Sequence, residues 1–204
     1  GVWLENGIIY RNGREIMPAA DIKIPGVHNI ENYMAAACAT EGLVSDADVD
    51  AVARSFGGVE HRIELVRELH GVKYYNDSIA SSPSRTIAGL HSFQQKVILI
   101  AGGYDKHIPF DVLGPEVCAH VKTLVLCGAT AGKIRAAVEN APEYREGEPQ
   151  ILEANNLREA VELAKNAAAA GDIVTLSPAC AAFDQFKNFA VRGKTFKEIV
   201  NSLT

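Results

Sequence analysis

The sequence predicts an α/β protein built on a doubly wound, mostly parallel sheet, and two observations carry that expectation. First, four apolar, β-branched runs alternate with helical patterns. The runs are "VKYYN" (72–76), "KVILIA" (96–101), "VKTLVLC" (121–127) and "DIVTLS" (172–177), and the helical patterns lie near 83–93, 131–140, 156–169 and 183–203. Near-continuous apolar strands separated by amphipathic helices are what a parallel sheet covered on both faces requires. Second, each run is followed by small, polar or glycine-containing residues: "NDSIASS", "GGYDKH", "GAT" and "SPACAAFD". A doubly wound fold gathers the carboxyl ends of its strands at one edge, where ligands bind. The four segments are therefore expected to wall one crevice. A weaker strand is read at "PQIL" (149–152).

Residues 1–59 have a different rhythm. "VWLENGIIYRNGREIM" (2–17) carries two Asn-Gly pairs between apolar runs, the signal of a hairpin or meander. In "GVHNIENYMAAACAT", Ile30, Tyr33, Met34, Ala37 and Cys38 recur at helical spacing. Ser45 precedes "DADVDAVARSF" with Asp48 three residues on, an N-cap followed by an acidic first turn, and Gly57-Gly58 closes that helix. A hairpin and two helices are too little to close a core around a sheet. Residues 1–59 are therefore expected to be the tail of a domain whose body is elsewhere, and 60–204 a complete α/β domain.

Composition narrows the function. With 48% hydrophobic and 22% charged residues the chain reads as an ordinary globular protein. A net charge of −5 gives no footing for nucleic acid or an anionic membrane. No apolar run is long enough to span a bilayer, and a cytoplasmic location is expected. Cys38, Cys118, Cys127 and Cys180 never form CxxC and read as buried small hydrophobes in a reducing compartment. Cys180 lies beside the expected crevice, but no neighbouring group argues for a nucleophile. The six histidines show no paired metal spacing, so no metal site is assigned.

The motifs divide between chemistry and plain structure. "GGYDKH" offers two unhindered backbone amides, a carboxylate at Asp105 and a cation at Lys106 suited to a carboxylate or phosphate; it also reads as a tight turn with a solvated lysine. "GATAGKI" is not a phosphate loop, because three residues separate its glycines and Ile134 follows the lysine; a helix start capped by Thr130 fits it better. Asn29 and Asn32 stand one helical turn apart, able to share a ligand or merely to cap. Arg62, in "EHRIE", is either a structural ion pair or a nucleotide contact. Phe183, Phe186 and Phe189, at intervals of three, read as a core stripe.

Together, "GVHNIEN", "GGVEHRIELV", "YYNDSIASSP", "IAGGYDKHIPF" and "LSPACAAFDQFKNFAVRGKTF" occur in the order and spacing of bacterial Mur ligases. The chain resembles that family from about residue 20 to its end, most closely the members that add D-glutamate; the related folylpolyglutamate synthases lack "SPACA" and the aromatic-RG signature. The resemblance implies the end of a P-loop ATPase domain followed by a Rossmann-like ligase domain. It implies an ATP-dependent, Mg2+-assisted ligation of D-glutamate to UDP-N-acetylmuramoyl-L-alanine through an acyl phosphate, in a monomer. The family's phosphate loop and metal-organising residues have no counterpart in these 204 residues, so no catalytic residue is assigned and the chain alone is expected to be inactive. By position, Asn29, Asn32, Arg62 and Asp77 resemble nucleotide contacts, and Lys106, Ser81, Ala182, Phe183 and Phe189 resemble the D-glutamate site. Ile79 and Ala182 depart from a common Lys and Ser, losses for which backbone amides or Ser177 would have to compensate. The competing expectation is a free-standing binding or regulatory module of the same fold.

Overall fold

The computed structural model describes residues 1–24 and 26–204. They divide into two compact units, Gly1–Gly58 and Val59–Thr204. In the first, β1 (Val2–Glu5), β2 (Ile8–Arg11) and β3 (Arg14–Pro18) form an antiparallel meander. Both connections are Asn-Gly pairs with positive φ at the two residues, the turn whose twist matches paired strands. Helices α1 (Val27–Ala39) and α2 (Asp46–Ser55) follow. The Ser45–Asp48 pair forms a reciprocal capping box, as the sequence implied. The third strand allows what a single hairpin would not, a small core of Ile9, Met17, Ala19, Ile22 and Ala53. Buried Arg11 is tied to Asp46 and to the carbonyls of Ala37 and Val44. Cys38, expected inside, is exposed on α1.

The second unit holds a six-stranded sheet. Its strands are β4 (Glu64–Leu69), β5 (Val72–Asn76), β6 (Val97–Ala101), β7 (Val121–Cys127), β8 (Gln150–Ala154) and β9 (Ile173–Leu176), in the order β4-β5-β9-β6-β7-β8. Only the β4–β5 pair is antiparallel. β4 was not read from sequence. Its hairpin turn is His70-Gly71, both residues at positive φ, a less conspicuous signal than Asn-Gly.

Helices α3 (Pro83–Leu90), α4 (Leu113–His120) and α5 (Ala131–Glu139) cover one face, and α6 (Leu157–Ala167) and α7 (Phe189–Ser202) the other. Strand alternation divides the two cores: Val97, Leu99 and Ala101 pack under the first layer, Ile98 and Ile100 under the second. Helix α4 also escaped sequence reading, because Gly114 and Pro115 sit in its first turn. Proline is tolerated there, where the amide has no intrahelical acceptor. Helix α7 begins at Phe189, six residues later than the pattern at 183 suggested. Among the described residues no helix is long and apolar enough to cross a membrane.

Candidate functional site

Strand order creates the site. The chain runs outward from β6 to β8, then returns through α6 to insert β9 between β5 and β6. Strands β5 and β6 lead into helices on one face, and β9 leads into α7 on the other. The carboxyl end of β9 is therefore flanked by a switch on each side, the place where an α/β sheet opens a crevice. Three of the four polar segments meet around it in direct contact: Gly102 N–H donates to Pro178 O (2.9 Å), Tyr104 N–H to Ala181 O (2.9 Å) and Asp77 N–H to Leu176 O (2.8 Å). The fourth joins through Thr130, whose hydroxyl lies 3.1 Å from both the amide and the carbonyl of Gly103 and 3.1 Å from Cys180 Sγ. Thr130 thus stands at the start of α5 as expected, but its side chain makes no capping bond; it holds the β6 loop instead. A cleft at this edge is lined by Gly102, Gly103, Gly128, Asp184, Gln185 and Arg192.

The residue that organises these loops is Arg192, from the first turn of α7, which is 4% exposed. Its Nε donates to Ser78 Oγ (3.0 Å), Nη2 to the carbonyls of Ser78 (2.9 Å) and Cys180 (3.0 Å), and Nη1 to that of Ala181 (3.2 Å). One guanidinium therefore clamps the β5 loop to the β9 loop, using the fixed fork that lysine lacks. No carboxylate takes part in this clamp, and burial lowers the pKa of Arg192 to about 10. The group remains cationic at neutral pH. In sequence, "RGKTF" has the pattern of an ordinary basic helix start, which does not mark Arg192 as buried.

Asp77 is 4% exposed. Its Oδ2 accepts from Ser177 Oγ (2.7 Å) and its Oδ1 from the amide of Ile63 (3.3 Å). Burial raises its pKa to about 6, against the opposing pull of these bonds. Room for the carboxylate exists because Gly89 faces it: a Cβ there would stand 2.9 Å from Oδ2. The Ser177 hydroxyl is committed to Asp77, so it does not stand in for the hydroxyl missing at Ala182. Neighbouring Asn76 lies 2.9 Å from His61 Nδ1 and donates to Glu64 Oε2 (3.2 Å), while Glu64 also binds Lys197. Arg62, beside buried His61, is exposed.

The remaining residues separate into two groups. Lys106 is exposed on the β6 loop, two residues beyond Tyr104. Tyr104 bridges to Ala181 and sets its ring edge-on to Phe183 (5.9 Å between centroids), so the lysine's loop lies against the 181–183 segment. Ala182 is buried, and its carbonyl accepts from the amides of Gln185 and Phe186, opening a turn that starts with the amides of Phe183 and Asp184. Phe183 is 62% exposed and Phe189 is exposed as well, so the phenylalanines do not form the core stripe their spacing suggested. The turn at 182–186 breaks the helical register that such a stripe needs. Phe189 packs edge-on to His61 (6.0 Å), and its carbonyl accepts from Ser78 Oγ (2.8 Å), which places it on the β5 side. Ser81 is half-buried in the β5–α3 loop.

Lys133 and the His107 amide hold the Asp105 carboxyl below the usual carboxylate range. Burial pushes the Cys180 thiol up to about 11, which leaves no thiolate for nucleophilic work near neutral pH. In the first unit, described by itself, Asn29 is buried and Asn32 exposed, so their one-turn spacing does not give them a common environment.

Comparison with known proteins agrees with this architecture. The family described as Mur ligase, glutamate ligase domain, matches residues 61–180. A UDP-N-acetylmuramoylalanine–D-glutamate ligase from Clostridium beijerinckii is 54% identical over 203 residues, covering 100% of this chain and 44% of the relative. One from Acetivibrio thermocellus is 56% identical over 202 residues, covering 96% and 43%. The chain thus spans less than half the length of these relatives. Among solved structures, the UDP-N-acetylmuramate-alanine ligase MurC from Thermotoga maritima superposes with a TM-score of 0.68 at 15% identity, covering 96% of this chain and 42% of that one. A folylpolyglutamate synthase from Mycobacterium tuberculosis, complexed with ADP, gives 0.66 at 14% identity, covering 98% and 46%. At such identities the two structures speak for the fold alone.

Proposed function

This chain belongs to the Mur ligase family, through its glutamate ligase domain, and from that membership we propose that it supplies the amino-acid-binding domain and part of the nucleotide site of an ATP-dependent ligase joining D-glutamate to UDP-N-acetylmuramoyl-L-alanine. In this reading residues 60–204 are the ligase domain, residues 1–59 are the tail of a P-loop ATPase domain, and the product is a peptidoglycan precursor. The observation that carries the proposal is the Tyr104–Ala181 bridge, which sets the Lys106 loop against the turn that begins at Ala182.

D-glutamate presents two carboxylates and one amine. Lys106, exposed and next to an aspartate already paired with Lys133, is assigned to one carboxylate. The amides of Phe183 and Asp184, ahead of the first closed bond of their turn, suit the other, as the free amides of a helix start do. This assignment replaces the hydroxyl that Ala182 lacks with backbone donors. Ser81 flanks the site from the β5 loop. The exposed ring of Phe189 covers the His61 side. Holding the amine in one orientation converts attack on the activated carboxyl into an effectively intramolecular step.

Bound ATP with Mg2+ would supply the phosphoryl group that activates the carboxyl, with metal ligands assigned mostly outside this chain. The described residues fit a nucleotide unevenly. Arg62 is exposed and suits a phosphate or sugar contact, and Asn32 is exposed on α1. Asp77, buried with both oxygens engaged, is assigned instead to holding the Ile63 amide and so the turn that bears Arg62. In the first unit, taken by itself, Asn29 is buried at the start of α1 and is assigned a nucleotide contact by family resemblance.

The test is an NMR titration of the chain with D-glutamate and, separately, L-glutamate. The proposal expects shifts at Lys106 and 182–184 with the D-isomer, loss of those shifts in Lys106→Ala, and little response to the L-isomer. Equal responses to both isomers, or shifts that survive the substitution, would overturn the site.

A further inference from the structure

At the opposite edge of the sheet, beside the amino ends of β6 and β7, three side chains converge that play no part in the ligase site. His91 is the C-cap of α3, His120 is the last residue of α4, and Glu116 lies one turn before His120 on the same helix. His91 Nε2 stands 2.6 Å from Glu116 Oε2 and His120 Nε2 stands 3.5 Å from the same oxygen. All three potential ligand atoms fall within 4.8 Å of one another. The two imidazole rings are 4.9 Å apart, tilted at 55°.

We propose that His91, Glu116 and His120 form a binding site for a divalent transition-metal ion of the zinc class. A tetrahedral ion with ligand bonds near 2.1 Å needs ligand atoms about 3.4 Å apart; the His120–Glu116 separation is close to that value, and the ion would replace the shorter His91–Glu116 hydrogen bond. Two imidazole nitrogens and one carboxylate oxygen select zinc, cobalt, nickel or copper over magnesium or calcium, which prefer oxygen. The fourth position faces solvent, because His91 is half-exposed and the other two are partly so. The carboxylate offsets half of the ion's charge. In addition, α3 and α4 both end here, and the carbonyl end of a helix favours a cation. The ion would staple α3 to α4 far from the crevice, a structural role that no step of the ligation requires.

A second convergence, Glu60, His61 and Glu64, is already occupied by protein partners: Glu64 by Lys197 and Asn76, and His61 by Asn76. It provides an internal control. The test is isothermal titration of the untagged 204-residue chain, stripped with EDTA and dialysed, with zinc chloride alone. One zinc per chain is expected, with a rise in Tm, and cobalt substituted for zinc should show visible absorption bands of a nitrogen–oxygen site. His91→Ala and Glu116→Gln should each weaken zinc binding by roughly tenfold or more, the scale that even outer partners of ligating histidines command; Glu60→Gln should leave it unchanged. Absence of stoichiometric zinc, binding indifferent to His91→Ala and Glu116→Gln, or binding lost in Glu60→Gln would each overturn the assignment.

Discussion

Replacing Arg192 by methionine tests the clamp most directly, because methionine keeps an unbranched apolar stem and removes the guanidinium with its charge and donors. The guanidinium makes four hydrogen bonds to buried or part-buried acceptors. Bonds to a charged group contribute about 1.5–3 kcal/mol each, so the gross gain is about 6–12 kcal/mol. Against it stands the desolvation that lowers the pKa of Arg192 from 12.5 to about 10, worth about 3 kcal/mol. Hydrogen bonding wins. Methionine would remove the desolvation cost but leave the carbonyls of Ser78 and Cys180 without the guanidinium donor, at about 1–3 kcal/mol each, while that of Ala181 keeps the Tyr104 amide. The expected loss is about 3 kcal/mol or more, a fall in urea midpoint of about 1–2 M for a chain of this size. Equilibrium urea unfolding at pH 8, followed by circular dichroism, measures it. An unchanged midpoint would refute the clamp, since it would mean that solvation of the freed carbonyls replaces the guanidinium at no cost.

Two further outcomes follow from the same loops. Asp77 has a native pKa of about 6 against an ordinary 3.8, so the native state holds its proton more tightly than the unfolded chain does. The stability this confers is complete below pH 3.8 and is lost as pH rises through 6, an amount of about 3 kcal/mol by linkage. Unfolding free energies from pH 4 to 7.5 should show that decline in the native chain and not in Asp77→Asn; parallel profiles would contradict it. Gly103→Ala should destabilise the chain by more than an ordinary surface change, about 2 kcal/mol or more. Its φ is +148° and a Cβ would lie 2.5 Å from the Ala181 carbonyl, so thermal melting and the D-glutamate response of the 181–183 segment should both suffer; a melting curve matching that of the native chain would rule the contact out.

What the sequence determined by itself is local in origin. The two Asn-Gly turns, the Ser45–Asp48 capping box and the central strands β5, β6, β7 and β9 were legible, because turn chemistry, i to i+3 capping and strand runs are written in neighbouring residues. The crevice at the strand ends was legible too, since any doubly wound sheet puts it there. Helix α4 and strand β4 were hidden by a proline and a His-Gly turn. The phenylalanine spacing misled, because a turn at 182–186 interrupts the helix it presumed. Only the tertiary structure placed β9 between β5 and β6, and with it the Arg192 clamp, the burial of Asp77 and the meeting of His91 with Glu116 and His120. Those pairings join residues from 25 to more than 100 positions apart. No local propensity encodes them; they follow from the crossover through α6 and from the packing of helices against both faces of the sheet.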